Sequence, residues 1–90
     1  MEMARYILSI LCTQPVIVLS WGFHAPVAVV NGLRFFVNGQ LHSGVVEVKY
    51  DEGADLFRVR TMENGQVKQE EPDVYLDCLV SVIDRMVETK

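Results

Sequence analysis

Between Tyr6 and Val30 the sequence has no Asp, Glu, Lys or Arg. Apart from Glu2 and Arg5, every formal charge lies in the last sixty residues. Twenty-five uncharged residues favour leaving water, whether for a membrane, a secretion channel, the domain's own core or a partner's surface. A long unbroken apolar run is missing as well. A spanning helix needs about 20 such residues, whereas Gln14-Pro15, Trp21-Gly22 and His24-Ala25-Pro26 cut the stretch into Tyr6–Cys12, Val16–Trp21 and Val27–Val30. Proline breaks would also leave backbone groups unpaired in lipid, so no membrane partner is expected. A signal peptide fits poorly. Tyr6–Leu11 is short for an apolar h-region, and Phe23 stands where a small residue belongs before the Ala25-Pro26 bond. A cytoplasmic protein is therefore expected, with secretion after cleavage of the N-terminal segment as the alternative. The uncharged stretch is assigned to core or interface.

Basic charge is scarce too. Eight Lys and Arg are scattered among twelve acids, for a net charge of −4, which supplies no basic patch and argues against nucleic acid as a partner. Cysteine is limited to Cys12 and Cys78, each in apolar sequence with no Lys, Arg or His adjacent to lower its pKa. They are expected to be two buried thiols in a reducing compartment, with a single disulfide as the alternative. The sequence contains no phosphate-cradling glycine loop, no Gly-x-Ser-x-Gly elbow and no Cys-x-x-Cys or His-x-x-His spacing. No catalytic residue, metal site or cofactor is assigned.

What is present is hairpin patterning. Asn-Gly occurs at Asn31-Gly32, Asn38-Gly39 and Asn64-Gly65, with a further turn signal at Asp51-Glu52-Gly53-Ala54. Asn and Gly tolerate the positive φ that tight turns require. Between these turns, Leu33–Val37, Leu41–Tyr50 and Asp55–Met62 alternate with period two. A loop at residues 51–54 would set Tyr50 opposite Asp55, Val48 opposite Phe57, Val46 opposite Val59 and Glu47 opposite Arg58. Closing the turn before it puts Leu33, Phe35 and Val37 on the face of Val46 and Val48. A fourth strand at Gln66–Glu70 fits only with a bulge or as a short edge piece. A two-residue turn at Asn64-Gly65 would otherwise aim Gln66, Lys68 and Glu70 at the apolar side.

From Pro72 or Asp73 to about Glu88 the pattern is helical. Tyr75, Leu76, Leu79, Val80, Ile83, Met86 and Val87 form the apolar stripe, and Asp77, Ser81, Asp84 and Glu88 the wet one. Met3–Leu11 reads equally as a short helix or as part of a strand pair. Val16–Leu19, rich in β-branched residues, is assigned to a buried strand, and Val27–Val30 to another extended piece. The expected fold is α+β: a single domain over residues 1–90, with an uncharged apolar segment at 1–30, a β-meander at 31–71 and a C-terminal helix at 72–90. The antiparallel sheet has three to five strands, and the amphipathic helix packs on one of its faces.

Two clusters are candidate sites. Trp21-Gly22-Phe23-His24 with His42 offers two aromatics and two imidazoles that could line a ligand pocket. The plainer reading is a turn whose aromatics plug the core and two unrelated histidines. Arg34, Phe36, Val45, Arg58, Arg60 and Met62, with Glu47, Lys49 and Val67, fall on the sheet face opposite the apolar one. Arg mixed with aromatic and Met side chains is the composition of binding surfaces; the alternative is that the N-terminal segment covers that face. The acidic tip Asp51, Glu52 and Asp55 does not match a calcium loop and reads as a solvated turn. The expected function is a non-enzymatic interaction or oligomerisation module that pairs with itself as a homodimer or with another protein. The alternative is a small-molecule binder or small enzyme built around Trp21, Phe23, His24 and His42.

Overall fold

A computed structural model of the chain describes residues 2–39 and 41–88. Two helices, α1 (Glu2–Leu11) and α2 (Pro15–Ser20), precede five strands: β1 (His24–Val29), β2 (Gly32–Asn38), β3 (Ser43–Asp51), β4 (Leu56–Glu63) and β5 (Gln66–Val74). A 3-10 turn at Leu76–Cys78 then leads into α3 (Leu79–Val87). The strands form one antiparallel meander in sequence order, β1 to β5. All three helices lie on one side of it, and the class is α+β as the turn pattern predicts.

The period-two reading of β2 and β3 is correct, since Leu33 pairs with Val48 and Phe35 with Val46. These side chains, with Val37, Phe57 and Val59, are buried against Ile7 and Leu11 of α1 and Leu79, Ile83 and Val87 of α3. The β3–β4 register differs from expectation by two residues. Tyr50 faces Phe57, Val48 faces Val59, Val46 faces Thr61 and Glu47 faces Arg60. The Asp51 side chain accepts the Gly53 and Ala54 amides at 3.1 and 3.4 Å, and Asp55 takes a left-handed φ of 57°. Asp51 therefore ends a strand, and the loop is displaced to residues 52–55. A two-residue shift keeps every side chain on its expected face.

β5 is a full strand of nine residues, longer than the Gln66–Glu70 piece expected, and of the two alternatives, bulge or short edge piece, the bulge is the one found. Asn64 and Gly65 both have positive φ, at 55° and 80°, and Glu63 pairs with Gln66 around them. The register then slips between Thr61 and Met62 and again between Phe57 and Val59. The second slip, with Asp73 at a φ of 57°, brings Val74 opposite Phe57 and into the core. Pro72 thus lies in an edge strand, where a missing N–H costs little, and does not open a helix. The helical segment starts later than predicted, and Tyr75 and Leu76 are exposed outside α3.

The strand assigned to Val16–Leu19 is a helix. Pro15 stands in its first turn, where its fixed φ suits helix initiation. Val18 and Trp21, three apart, are both buried, a spacing that matches a helical face. Tertiary burial here outweighs a β-branched preference of a few tenths of a kcal/mol per residue. The uncharged stretch divides: Ile7, Leu11, Val18 and Trp21 enter the core, while Val16, Leu19, Val27 and Val30 stay exposed. Cys12 and Cys78 are free and exposed, not buried as their surroundings suggested. Among the described residues no helix is long and apolar enough to cross a membrane.

Candidate functional site

Among the described residues the helices cover only one side of the sheet, so its other face is open, and the register places two unlike rows on it. Pairing of His24 with Phe36, Phe36 with Val45, Val45 with Met62 and Met62 with Val67 draws an almost wholly apolar row across all five strands. Phe36 remains 39% and Val67 50% exposed. The His24 ring lies over Phe36 with centroids 5.7 Å apart. Beside this row, Arg34, Glu47, Arg60 and Glu70 are successive cross-strand partners, alternating in charge. Arg34 bonds Glu47 at 2.9 Å, Arg60 approaches the other Glu47 oxygen at 3.8 Å, and Arg60 Nε donates to Glu70 at 3.1 Å. Glu47 is only 4% exposed although no helix covers it. The two arginines lie across it and shield its charge. Lys49 and Arg58 form a third, cationic pair on the same face. The six residues singled out from sequence, Arg34, Phe36, Val45, Arg58, Arg60 and Met62, therefore share one surface.

The other candidate set is dispersed. Trp21 is fully buried and stacked 6.4 Å from Phe35, and its indole N–H donates to Asp84 Oδ1 at 2.9 Å. Phe23 packs on Phe35 at 4.7 Å and borders a shallow apolar groove of about 200 Å³ with Leu11, Pro15 and Leu19. His24 is exposed, and its Nδ1–H donates to the Gly22 carbonyl at 2.7 Å. His42 is 2% exposed, donates from Nε2 to the Val45 carbonyl at 3.0 Å, and its Nδ1 has no partner among the described residues. The two aromatics belong to the helical layer, while His24 lies against the open face. The four line no common cavity among those described.

The largest of the cavities described, about 560 Å³, has no counterpart in the sequence pattern. The chain has three tyrosines, and all of them line it: Tyr6 from α1, Tyr50 from β3 and Tyr75 from the segment before the 3-10 turn, together with Asp55, Phe57 and Asp77. The Tyr50 hydroxyl donates to the Asp55 carboxylate. That bond, then burial and the nearby negative charges, raise the phenol's pKa above its ordinary value near 10. Positions 6, 50 and 75 share no periodicity, so only the topology brings them together. The acidic tip read as a solvated turn thus supplies one wall of this cleft through Asp55.

Among the described residues no three His, Cys, Asp or Glu side chains gather as a metal site. No protein-family model matches the chain, and no match is found among curated proteins or solved structures.

Proposed function

We propose that this protein is a non-enzymatic interaction module that self-associates through the open face of its sheet. The carrying observation is the apolar row His24, Phe36, Val45, Met62 and Val67 on the side no helix covers. The neighbouring charge row favours a second copy as the occupant. Its order from β2 to β5 is Arg34, Glu47, Arg60, Glu70, which read backwards is Glu, Arg, Glu, Arg. A two-fold axis along the strands, midway between β3 and β4, sets Arg34 opposite the partner's Glu70 and Glu47 opposite the partner's Arg60. The same operation lays Phe36 on the partner's Val67 and Val45 on the partner's Met62. Apolar meets apolar and each of these four charges meets its opposite, the self-complementarity that an isologous interface requires. The same operation sets Lys49 opposite the partner's Arg58, a like-charge contact that weakens the pairing.

Edge-to-edge pairing is the less favourable route. β1 contains Pro26, which lacks an N–H, and its register breaks between His24 and Val27. β5 carries Lys68, Glu70, Glu71 and two register breaks. Such features blunt sheet edges. The four strands β2–β5 that this axis superposes, about 4.8 Å apart and about six residues long, give a footprint of roughly 400 Å² per copy. That is below the roughly 800 Å² of a standard interface, so the dimer is expected to be concentration-dependent. Two unpaired surface thiols support a reducing, cytoplasmic location.

Size-exclusion chromatography with light scattering tests the reading. The mass should rise from 10.2 kDa toward twice that value with concentration, and Phe36→Asp should hold it at the monomer. Arg34→Glu and Glu70→Arg should each weaken association alone and recover it when mixed one to one. A wild-type mass fixed at the monomer up to about 1 mM, where an association of only about −4 kcal/mol would already show, would refute the proposal.

A further inference from the structure

We infer that the three-tyrosine cleft is a binding site for a methylated ammonium cation, carried by a small molecule or by a modified lysine side chain. The cleft lies on the helical side of the sheet, away from the open face, so it stands independently of the dimer. Its volume, about 560 Å³, falls within the roughly 300–1,000 Å³ of small-molecule sites. The sign of the ligand follows from the lining, which contains Asp55 and Asp77 but no Lys, Arg or His. An anion would meet two carboxylates and no counter-charge.

The class of cation follows from the walls. Three tyrosines line the cleft, and the faces of such rings attract positive charge, while Met3, Leu56 and Leu76 supply apolar surface. A bare ammonium is strongly hydrated and would lose that water against apolar walls. A methylated ammonium spreads its charge over methyl groups that rings and aliphatic side chains can cover. One wall is already fixed. The Tyr50 ring packs against Phe57 at 5.4 Å, and its hydroxyl is tied to Asp55. Tyr6 and Tyr75, which also line it, remain 47% and 62% exposed, leaving ring surface for a guest to cover. Asp77, also exposed, sits beside Tyr75 and Leu76 and can pair with the charge.

The test is a titration of the full-length protein by NMR, following backbone amides and tyrosine ring protons. The probes are tetramethylammonium, choline, choline's neutral carbon isostere dimethylbutanol, and a short peptide bearing trimethyl-lysine. Saturable shifts are expected around Tyr6, Tyr50 and Tyr75 with the cations, and binding of the isostere should be weaker by about tenfold, as cation–π attraction in a partly desolvated site implies. Tyr6→Ala and Tyr75→Ala should each weaken choline binding roughly fivefold, and Asp77→Asn should weaken it and flatten its salt dependence. Tyr6→Phe and Tyr75→Phe keep a ring and should keep most of the affinity, which separates loss of the site from loss of the fold. Tighter binding of choline assigns the site to a small molecule, and tighter binding of the peptide assigns it to a protein side chain. Equal binding of the neutral isostere, or no saturable shift with any of the cations, would overturn the inference.

Discussion

The bond between Trp21 and Asp84 joins the uncharged N-terminal third of the chain to its last helix, and its strength can be isolated. The indole N–H lies 2.9 Å from Asp84 Oδ1 across 63 residues of sequence, and the tryptophan is fully buried. A hydrogen bond to a charged acceptor contributes about 1.5–3 kcal/mol. The single variant Asp84→Ala will not report that figure. It leaves a buried N–H unsatisfied, at about 1–3 kcal/mol, but it gains up to about 0.7 kcal/mol of helix propensity. It also removes a carboxylate from the last turn of α3, where the dipole disfavours it by about 0.3–1 kcal/mol. The net is expected near 1 kcal/mol. Trp21→Phe loses the same bond together with packing against Phe35. A double-mutant cycle with Asp84→Ala, Trp21→Phe and the combined variant cancels the propensity, dipole and packing terms. Urea unfolding followed by far-ultraviolet circular dichroism should return a coupling energy of about 1.5–2.5 kcal/mol with unchanged m-values. A coupling below about 0.5 kcal/mol would refute the argument, because the indole would then be held by packing alone.

Three further perturbations have definite signs. A methyl added at Gly39 would overlap the side chain and carbonyl oxygen of Val87, so Gly39→Ala should cost about 2 kcal/mol, or roughly 8–16 °C in Tm, by thermal melting. Glu47→Gln removes the charge shared by Arg34 and Arg60 and should cost about 1–2 kcal/mol, whereas Glu70→Gln, more exposed, should cost under about 0.5. Equal losses in urea titration would show that the shielding of Glu47 carries no energy. Tyr50 has a raised pKa, so its folded form holds the proton more tightly than the unfolded chain. The resulting stability is complete below about pH 10 and is lost as pH rises through the folded value. Asp55→Asn should move the phenolate absorbance midpoint down toward 10, and an unmoved midpoint would remove Asp55 as the cause.

What was legible in the sequence was whatever depends on local chemistry. Asn64-Gly65 specifies a tight turn because both residues accept positive φ, and the misfit of Gln66, Lys68 and Glu70 beyond it left a bulge or a short edge piece as alternatives, of which the bulge is found. Side-chain parity placed Arg34, Phe36, Val45, Arg58, Arg60 and Met62 on one face, and it survived an error of two residues in the β3–β4 pairing. Features set by distant contacts were hidden. Val16–Leu19 has the composition of a strand but becomes a helix because Pro15 starts it and Val18 and Trp21 are buried together. Asp84 looked like a solvent-facing residue of an amphipathic helix, and only the fold brings an indole to it. The tyrosine cleft left no trace at all, since its walls come from α1, a β-hairpin and the approach to α3.

On the proposed dimer, the open face also bears on how a chain with so much uncharged sequence would be specific in its contacts. An apolar row alone would stack on any similar surface. On the proposed dimer the adjacent Arg34, Glu47, Arg60 and Glu70 row acts as a filter, because one antiparallel orientation pairs all four charges, whereas a one-strand slip sets like charges opposite one another. Mixing Arg34→Glu with Glu70→Arg protein therefore probes orientation as well as affinity. In the heterodimer both reversed charges meet, while either variant alone repeats the clash twice about the axis. Recovery of the dimer mass on mixing, at a concentration where each variant alone runs as a monomer, would fix the axis between β3 and β4. A dimer that forms equally well in both single variants would move the contact off this row.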